Sequence, residues 1–320
     1  MSLRIGISLG DPAGIGPEVI FKAIPLIKDA DVEFVLFCEK DFFDKALNLC
    51  PKTKETIFVS RVSFLGELKH DGSLSFGKPT KESGEFSYRS LNVGIDAALK
   101  GEISALATAP LSKEGLFLAG HRYSGHTEIL AEKSGIKNVV MMFVAGNLRA
   151  VPLTRHLAIS RIPKAITENL ILDSIRIIAE FLGKYEGISK PKIGVLALNP
   201  HAGEKGLFGC EENILESAIA KLRSEAIDVS NPLVPDIAFI EETRAKYDVL
   251  VGMYHDQVLI PFKMLAFDKG VNATLGLPFI RTSPDHGTAF DIAGENIASP
   301  SSMIEAIKLA IKWARISAKE

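Results

Sequence analysis

The residues of this chain best equipped for chemistry are three histidines that each follow a predicted strand. His156 lies beyond a strand ending in Thr154, His201 sits in Asn199-Pro200-His201-Ala202-Gly203-Glu204, and His255 opens His255-Asp256-Gln257 after a strand ending at Met253. Parallel strand ends bring together residues distant in sequence, and three imidazoles with open positions beside them suit a divalent metal. Asp236 and Asp256 stand near them as candidates to orient a ligand or handle a proton. Taken singly, each histidine reads more readily as a hydrogen-bonded packing residue than as a ligand.

A second set of residues suits an anion. Gly125-His126-Thr127-Glu128 places two side-chain donors at the predicted start of a helix, where backbone N–H groups are unmatched, although Thr127 as a simple N-cap fits as well. Lys263, Asn272 and Arg281 fall in an apolar stretch, where an unpaired charge is costly and an anionic ligand supplies a partner. The run Gly10-Asp11-Pro12-Ala13-Gly14-Ile15-Gly16-Pro17-Glu18 follows a strand and opens a helix, and reads either as an anion cradle or as a structural turn. It is not a GxGxxG fingerprint. Ser283 to Gly294 is a polar, glycine-punctuated run before a helix; as a ligand loop it offers Asp291 to ribose hydroxyls, and as a connection it needs no ligand.

Positioning such groups requires strands whose ends face one way. Apolar runs predict strands at Arg4–Leu9, Phe34–Cys38, Ser104–Thr108, Val139–Val144, Arg149–Thr154, Ile193–Leu198 and Val249–Met253, with a turn at Gly146-Asn147. Helical spacing predicts helices from Pro17, over Leu91–Leu99, Pro163–Leu182 and Glu212–Arg223, and after a capping box at Ser302 and Glu305. Residues 70–87, rich in Gly, Ser and Lys, read as a hairpin or exposed loop. Alternation of strand and helix predicts an α/β fold with a largely parallel sheet, in two lobes.

Composition narrows the class. The 320 residues are 47% hydrophobic and 24% charged, ordinary for a globular enzyme. A net charge of −2 gives no general attraction to nucleic acid or an anionic membrane. No apolar run approaches the roughly 20 residues of a membrane span. Cys38, Cys50 and Cys210 show no pairing pattern and predict free thiols, so the cytoplasm is the expected location.

With these residues in view, the chain resembles the 4-hydroxythreonine-4-phosphate dehydrogenase family nearly end to end. GDPAGIGPE, TAPLSK (Thr108 to Lys113), GHTE, NPHAGE, YHDQ and SPDHGTAFDIAG occur in family order; Ser124 replaces an expected Pro, and Leu111-Ser112 replace Ile-Asn or Val-Asn. The resemblance implies a two-lobed fold like isocitrate and isopropylmalate dehydrogenases, not a Rossmann fold. A cofactor-side lobe is expected at 1–124 and 264–320, and a metal, substrate and dimerisation lobe at 125–263. It implies His156, His201 and His255 as metal ligands (zinc, cobalt, magnesium or manganese), in a homodimer whose site forms between subunits. It makes His126, Thr127, Lys263, Asn272 and Arg281 substrate-binding, Asp256 and Asp236 catalytic, and His286, Gly287, Asp291 and Ile292 the contacts for NAD or NADP. The implied reaction oxidises 4-phosphooxy-threonine to a β-keto acid that decarboxylates to 3-amino-2-oxopropyl phosphate, in vitamin B6 biosynthesis. A paralogue acting on 4-phosphothreonate or 4-phosphoerythronate shares these motifs. A metal phosphohydrolase, an acyl-phosphate transferase and a metabolite-binding protein are the more distant alternatives.

Overall fold

The computed structural model describes residues 2–38, 40, 43–44, 62–64 and 76–318. The chain divides into two compact units, Met1–Lys137 with Leu277–Glu320, and Asn138–Gly276. Both cuts fall C-terminal to the expected ones. Helix α4 (His126–Ser134) packs on helix α2 (Lys81–Leu99) and so stays with the first unit, and the strand Val271–Leu275 pairs with Val140–Ala145 and so stays with the second.

The first unit opens with β1 (Leu3–Ser8), followed by α1 (Gly16–Ala23), β2 (Val32–Leu36), β3 (Val62–Phe64) and β4 (Ala105–Thr108). β2, β1 and β4 are parallel neighbours, and every residue of β4 is buried, as a strand covered on both faces requires. Pro17 stands in the first turn of α1, where its missing N–H costs nothing. The expected loop over 70–87 is corrected here: α2 begins at Lys81, and residues 70–75 lie outside the described residues. Thr80 and Ser83 form a reciprocal capping box, each side chain accepting from the other's backbone N–H at 3.0 Å. Gly84 inside this helix marks a close approach, since a Cβ there would sit 1.8 Å from the Gly115 carbonyl oxygen of α3 (Lys113–Leu118).

In the second unit, β5 (Val140–Ala145) and β6 (Leu148–Thr154) form the expected hairpin across Gly146-Asn147. The helix expected over Pro163–Leu182 is broken. A short turn at Ile162–Ala165 ends before α5 (Glu168–Glu186), because the Thr167 hydroxyl caps a new start by accepting from Leu170 N–H at 3.2 Å. Then come β7 (Ile193–Val195), α6 (Glu212–Ser224), β8 (Val249–Tyr254), α7 (His255–Ala266) and β9 (Val271–Leu275). The strand order is β9-β5-β6-β8-β7. β5 is antiparallel to both its neighbours, whereas β6, β8 and β7 run parallel.

The returning segment adds β10 (Arg281–Pro284), parallel to β4, and α8 (Ser301–Ser317), which buries Trp313 completely. The capping box expected at Ser302 and Glu305 does not form. Ser302 Oγ accepts instead from the Asp285 N–H at 3.1 Å, and α8 starts after Pro300 without a side-chain cap. Cys38 is buried and Cys210 exposed, both as free thiols; Cys50 lies outside the described residues. No described helix is long and apolar enough to cross a membrane.

Candidate active site

The second unit gathers its histidines by pairing strands. β6 runs parallel to β8 with Thr154 opposite Tyr254, and the Thr154 hydroxyl donates to the Met253 carbonyl at 2.7 Å. His156 and His255 therefore leave one edge of the sheet together, their ring centroids 5.9 Å apart at 42°. Asp256 Oδ1 lies 2.6 Å from His255 Nδ1, which places the proton on that nitrogen and turns Nε2 into the lone-pair donor. Gln257 binds the neighbouring strand end: its Oε1 accepts from Met253 N–H at 2.6 Å and its Nε2 donates to the Ala197 carbonyl at 2.8 Å.

His201 follows that same strand end but sits apart from the pair. Among the described residues no three metal-binding side chains converge. His201 to Lys205 form a continuous left-handed turn, with φ between 42° and 72°, a conformation that L-residues resist. Asn199 anchors it: its N–H donates to Glu212 Oε1 at 2.8 Å, and its Nδ2 donates to Glu212 Oε2 at 2.9 Å and Glu211 Oε2 at 2.8 Å. The His201 ring is largely exposed and stands edge-on to Phe208. Asp236 is exposed on the turn Pro235–Ile237, which packs against this loop. Lys263 is exposed on α7, and Asn272 lies on β9 with a buried side-chain oxygen that has no hydrogen-bond partner among the described residues.

The first unit builds a different cluster. Arg281 is 2% exposed and pairs with Leu106 across β10 and β4, so it shares a face with Thr108 two residues on. Its Nε and Nη2 donate to the Thr108 hydroxyl at 3.1 and 2.7 Å. Burial pushes the guanidinium pKa down to about 9. The next residue, Ala109, holds His126: its carbonyl lies 3.2 Å from Nε2, which must carry the proton because a carbonyl only accepts. Burial, and secondarily the Arg281 charge, holds His126 well below the usual histidine range. His126 is thus a neutral ring whose Nδ1 accepts. It opens α4 after Gly125, and Thr127 is the second helical residue, so Thr127 is not the N-cap.

In the 285–294 loop, Asp291 is exposed on the turn Phe290–Ile292, after Ala289 at φ 41°. His286 Nδ1 lies 3.0 Å from the Gly287 carbonyl, and nothing would obstruct a Cβ at Gly287. Thr108, Gln257, Asn199 and Glu212 support these groups without being marked by residue type or spacing; the motifs TAPLSK, YHDQ and NPHAGE, which hold the first three, are the signal that points to them.

This is a mostly parallel α/β protein whose polar groups collect beyond strand ends. Residues 30–310 match the family described as pyridoxal phosphate biosynthetic protein PdxA, and the chain belongs to that family. It is 41% identical to 4-hydroxythreonine-4-phosphate dehydrogenase of Sulfurihydrogenibium sp. (strain YO3AOP1), over 98% of this chain and 99% of that one. It is 39% identical, over 97% and 98%, to a Salmonella typhi protein provisionally named D-threonate 4-phosphate dehydrogenase. The crystal structure of 4-hydroxythreonine-4-phosphate dehydrogenase from Klebsiella pneumoniae matches with a TM-score of 0.85 at 36% identity, covering 98% of this chain and 100% of that one.

Proposed function

We propose that this chain is a metal-dependent, NAD(P)-linked dehydrogenase that oxidises 4-phosphooxy-threonine on the route to pyridoxal 5'-phosphate. The observation that carries the reading is the facing His156–His255 pair, with Asp256 on the outer nitrogen of His255. That donor set fits a divalent cation, and imidazole favours zinc or cobalt over magnesium. His201, standing apart from the pair on an exposed turn, supports a site completed across a homodimer. A bound metal would supply Lewis acidity at the substrate hydroxyl, and a bound nicotinamide dinucleotide would supply the hydride acceptor.

The chain's own residues do the rest. In the first unit Arg281, Thr127 and the N–H groups that open α4 are the groups that bind an anion of the substrate, and in the second unit Lys263 is the cation for one. His126 accepts a hydrogen bond from a substrate donor, and in the second unit the Asn272 oxygen, without a partner among the described residues, is an acceptor in its own right. A water held by Asp256 or Asp236 takes the hydroxyl proton. Asp291 accepts from the adenine ribose, beside His286, Gly287 and Ile292.

A second reading, oxidation of D-threonate 4-phosphate, is favoured by the Salmonella typhi relative at 39% identity. The two substrates differ at C2, ammonium against hydroxyl, and the neutral His126 accepts from either. The test is absorbance of reduced cofactor with both substrates side by side, with and without chelator. Chelator-sensitive reduction with 4-phosphooxy-threonine supports the first reading and reduction with the threonate alone the second. No reduction by either, with zinc, NAD and NADP supplied, overturns both.

A further inference from the structure

The GDPAGIGPE motif reads as either an anion cradle or a turn in the sequence, and the structure gives it another task. A Cβ at Gly14 would lie 2.6 Å from the Thr288 carbonyl oxygen, so only glycine lets the two loops meet. The adjacent Ile15 N–H donates to that same oxygen at 3.0 Å. One turn into α1, Glu18 is 6% exposed and its Oε1 accepts from Lys22 Nζ at 2.7 Å and from the Ala298 N–H at 2.8 Å. Lys22 Nζ also donates to the carbonyls of Asn296 and Ala298, both at 3.0 Å. An ammonium has three protons, and each has its acceptor. Two points of the 288–298 segment are thus fixed by α1 and the turn that leads into it, and exposed Asp291 lies between them. Within the segment itself the backbone bonds are three local turns. At Asn296, φ is 58°, a conformation for which the neighbouring Lys22 and Glu18 contacts supply the restraint.

We infer that Glu18 and Lys22 are positioning residues for the dinucleotide: α1 is a clamp that presents the 285–294 loop, and the motif holds no anion of its own. This rests on reading that loop as the cofactor loop. Glu18 and Lys22 together form the second point of the clamp, so loss of either member removes part of its hold on 296–298 while Gly14 and Ile15 still hold Thr288.

The test measures NAD and NADP binding by calorimetry, zinc-loaded, for the wild type, Glu18→Gln, Lys22→Met and Lys22→Arg, with inorganic phosphate binding and amide hydrogen exchange of 288–298 alongside. Glu18→Gln and Lys22→Met are expected to weaken dinucleotide binding by about ten-fold or more, to speed exchange over 288–298, and to leave phosphate affinity unchanged. Lys22→Arg restores most of the affinity. Unchanged dinucleotide binding with unchanged exchange overturns the inference, as does equal loss of phosphate and dinucleotide affinity. If Glu18→Gln does not fold, Lys22→Met, which keeps the side chain's apolar stem, decides alone. A wild-type protein that binds neither dinucleotide refutes the cofactor reading itself, a result separable from any variant's behaviour.

Discussion

Replacing Thr108 by valine tests whether a buried hydroxyl holds the proposed anion site together. Thr108 is fully buried, and its Oγ1 accepts both the Nε and Nη2 protons of Arg281. Valine keeps the shape and removes the oxygen. A hydrogen bond to a charged group is worth about 1.5–3 kcal/mol; two that share one oxygen do not add fully, so a loss of about 2–4 kcal/mol is expected. Serine keeps the oxygen and loses one buried methyl, about 1 kcal/mol. The ordering wild type, then Thr108→Ser, then Thr108→Val should appear in urea midpoints at pH 7 and, more steeply, in phosphate affinity. There is a pH signature too. Arg281 binds an anion only while charged, so affinity is held below its pKa of about 9 and falls above it. Removing an acceptor disfavours the cation further, so in Thr108→Val the falling limb should move to lower pH. If valine equals or exceeds serine in both stability and affinity, the hydroxyl is not what holds the guanidinium.

Other consequences are equally concrete. Glu212→Gln leaves Asn199 one acceptor short at the foot of the His201 turn and should weaken zinc binding by about 10–100-fold, read by competition with a chelating dye. His126 resists protonation when folded, whereas the unfolded ring takes a proton near 6.5. The unfolded state then binds more protons as pH falls, so this contribution is complete above about 6.5 and is lost on acidification. His126→Gln should flatten the decline in urea midpoint between pH 7.5 and 5; an unaltered slope would show that His126 is not held neutral. Asp11 is fully buried and its carboxyl is raised, chiefly by burial. Its native form holds the proton more tightly, so its ionisation removes stability as pH rises. Asp11→Asn, which keeps the 2.9 Å bond from Ala13 N–H, should be at least as stable as wild type at pH 7, while Asp11→Ala loses about 1–2 kcal/mol.

What the sequence discloses here follows the reach of each interaction. Strands such as Ala105–Thr108 and Val249–Tyr254 are apolar runs and announce themselves, and the histidines beyond them are legible because a strand end is a predictable place. The helix at Lys81 is not, because Gly, Ser and Lys carry loop statistics, whereas the Thr80–Ser83 cap and the Gly84–Gly115 approach are contacts that composition does not register. Ser302 carries a capping signature, yet its hydroxyl serves Asp285 instead, a tertiary partner outcompeting a local one. The left-handed turn at His201 is invisible for a related reason: its restraint comes from Glu212, on the far side of a loop. Sequence therefore exposes candidate ligand-binding groups more readily than the groups that orient them. Arg281 is conspicuous as a charge in an apolar stretch, but Thr108, which aims it, is an ordinary strand threonine 173 positions away. The same holds for Glu18 and Lys22, whose bonds to Asn296 and Ala298 span more than 270 positions. Orientation is a property of pairs, and pairs so distant leave no periodicity in a single chain.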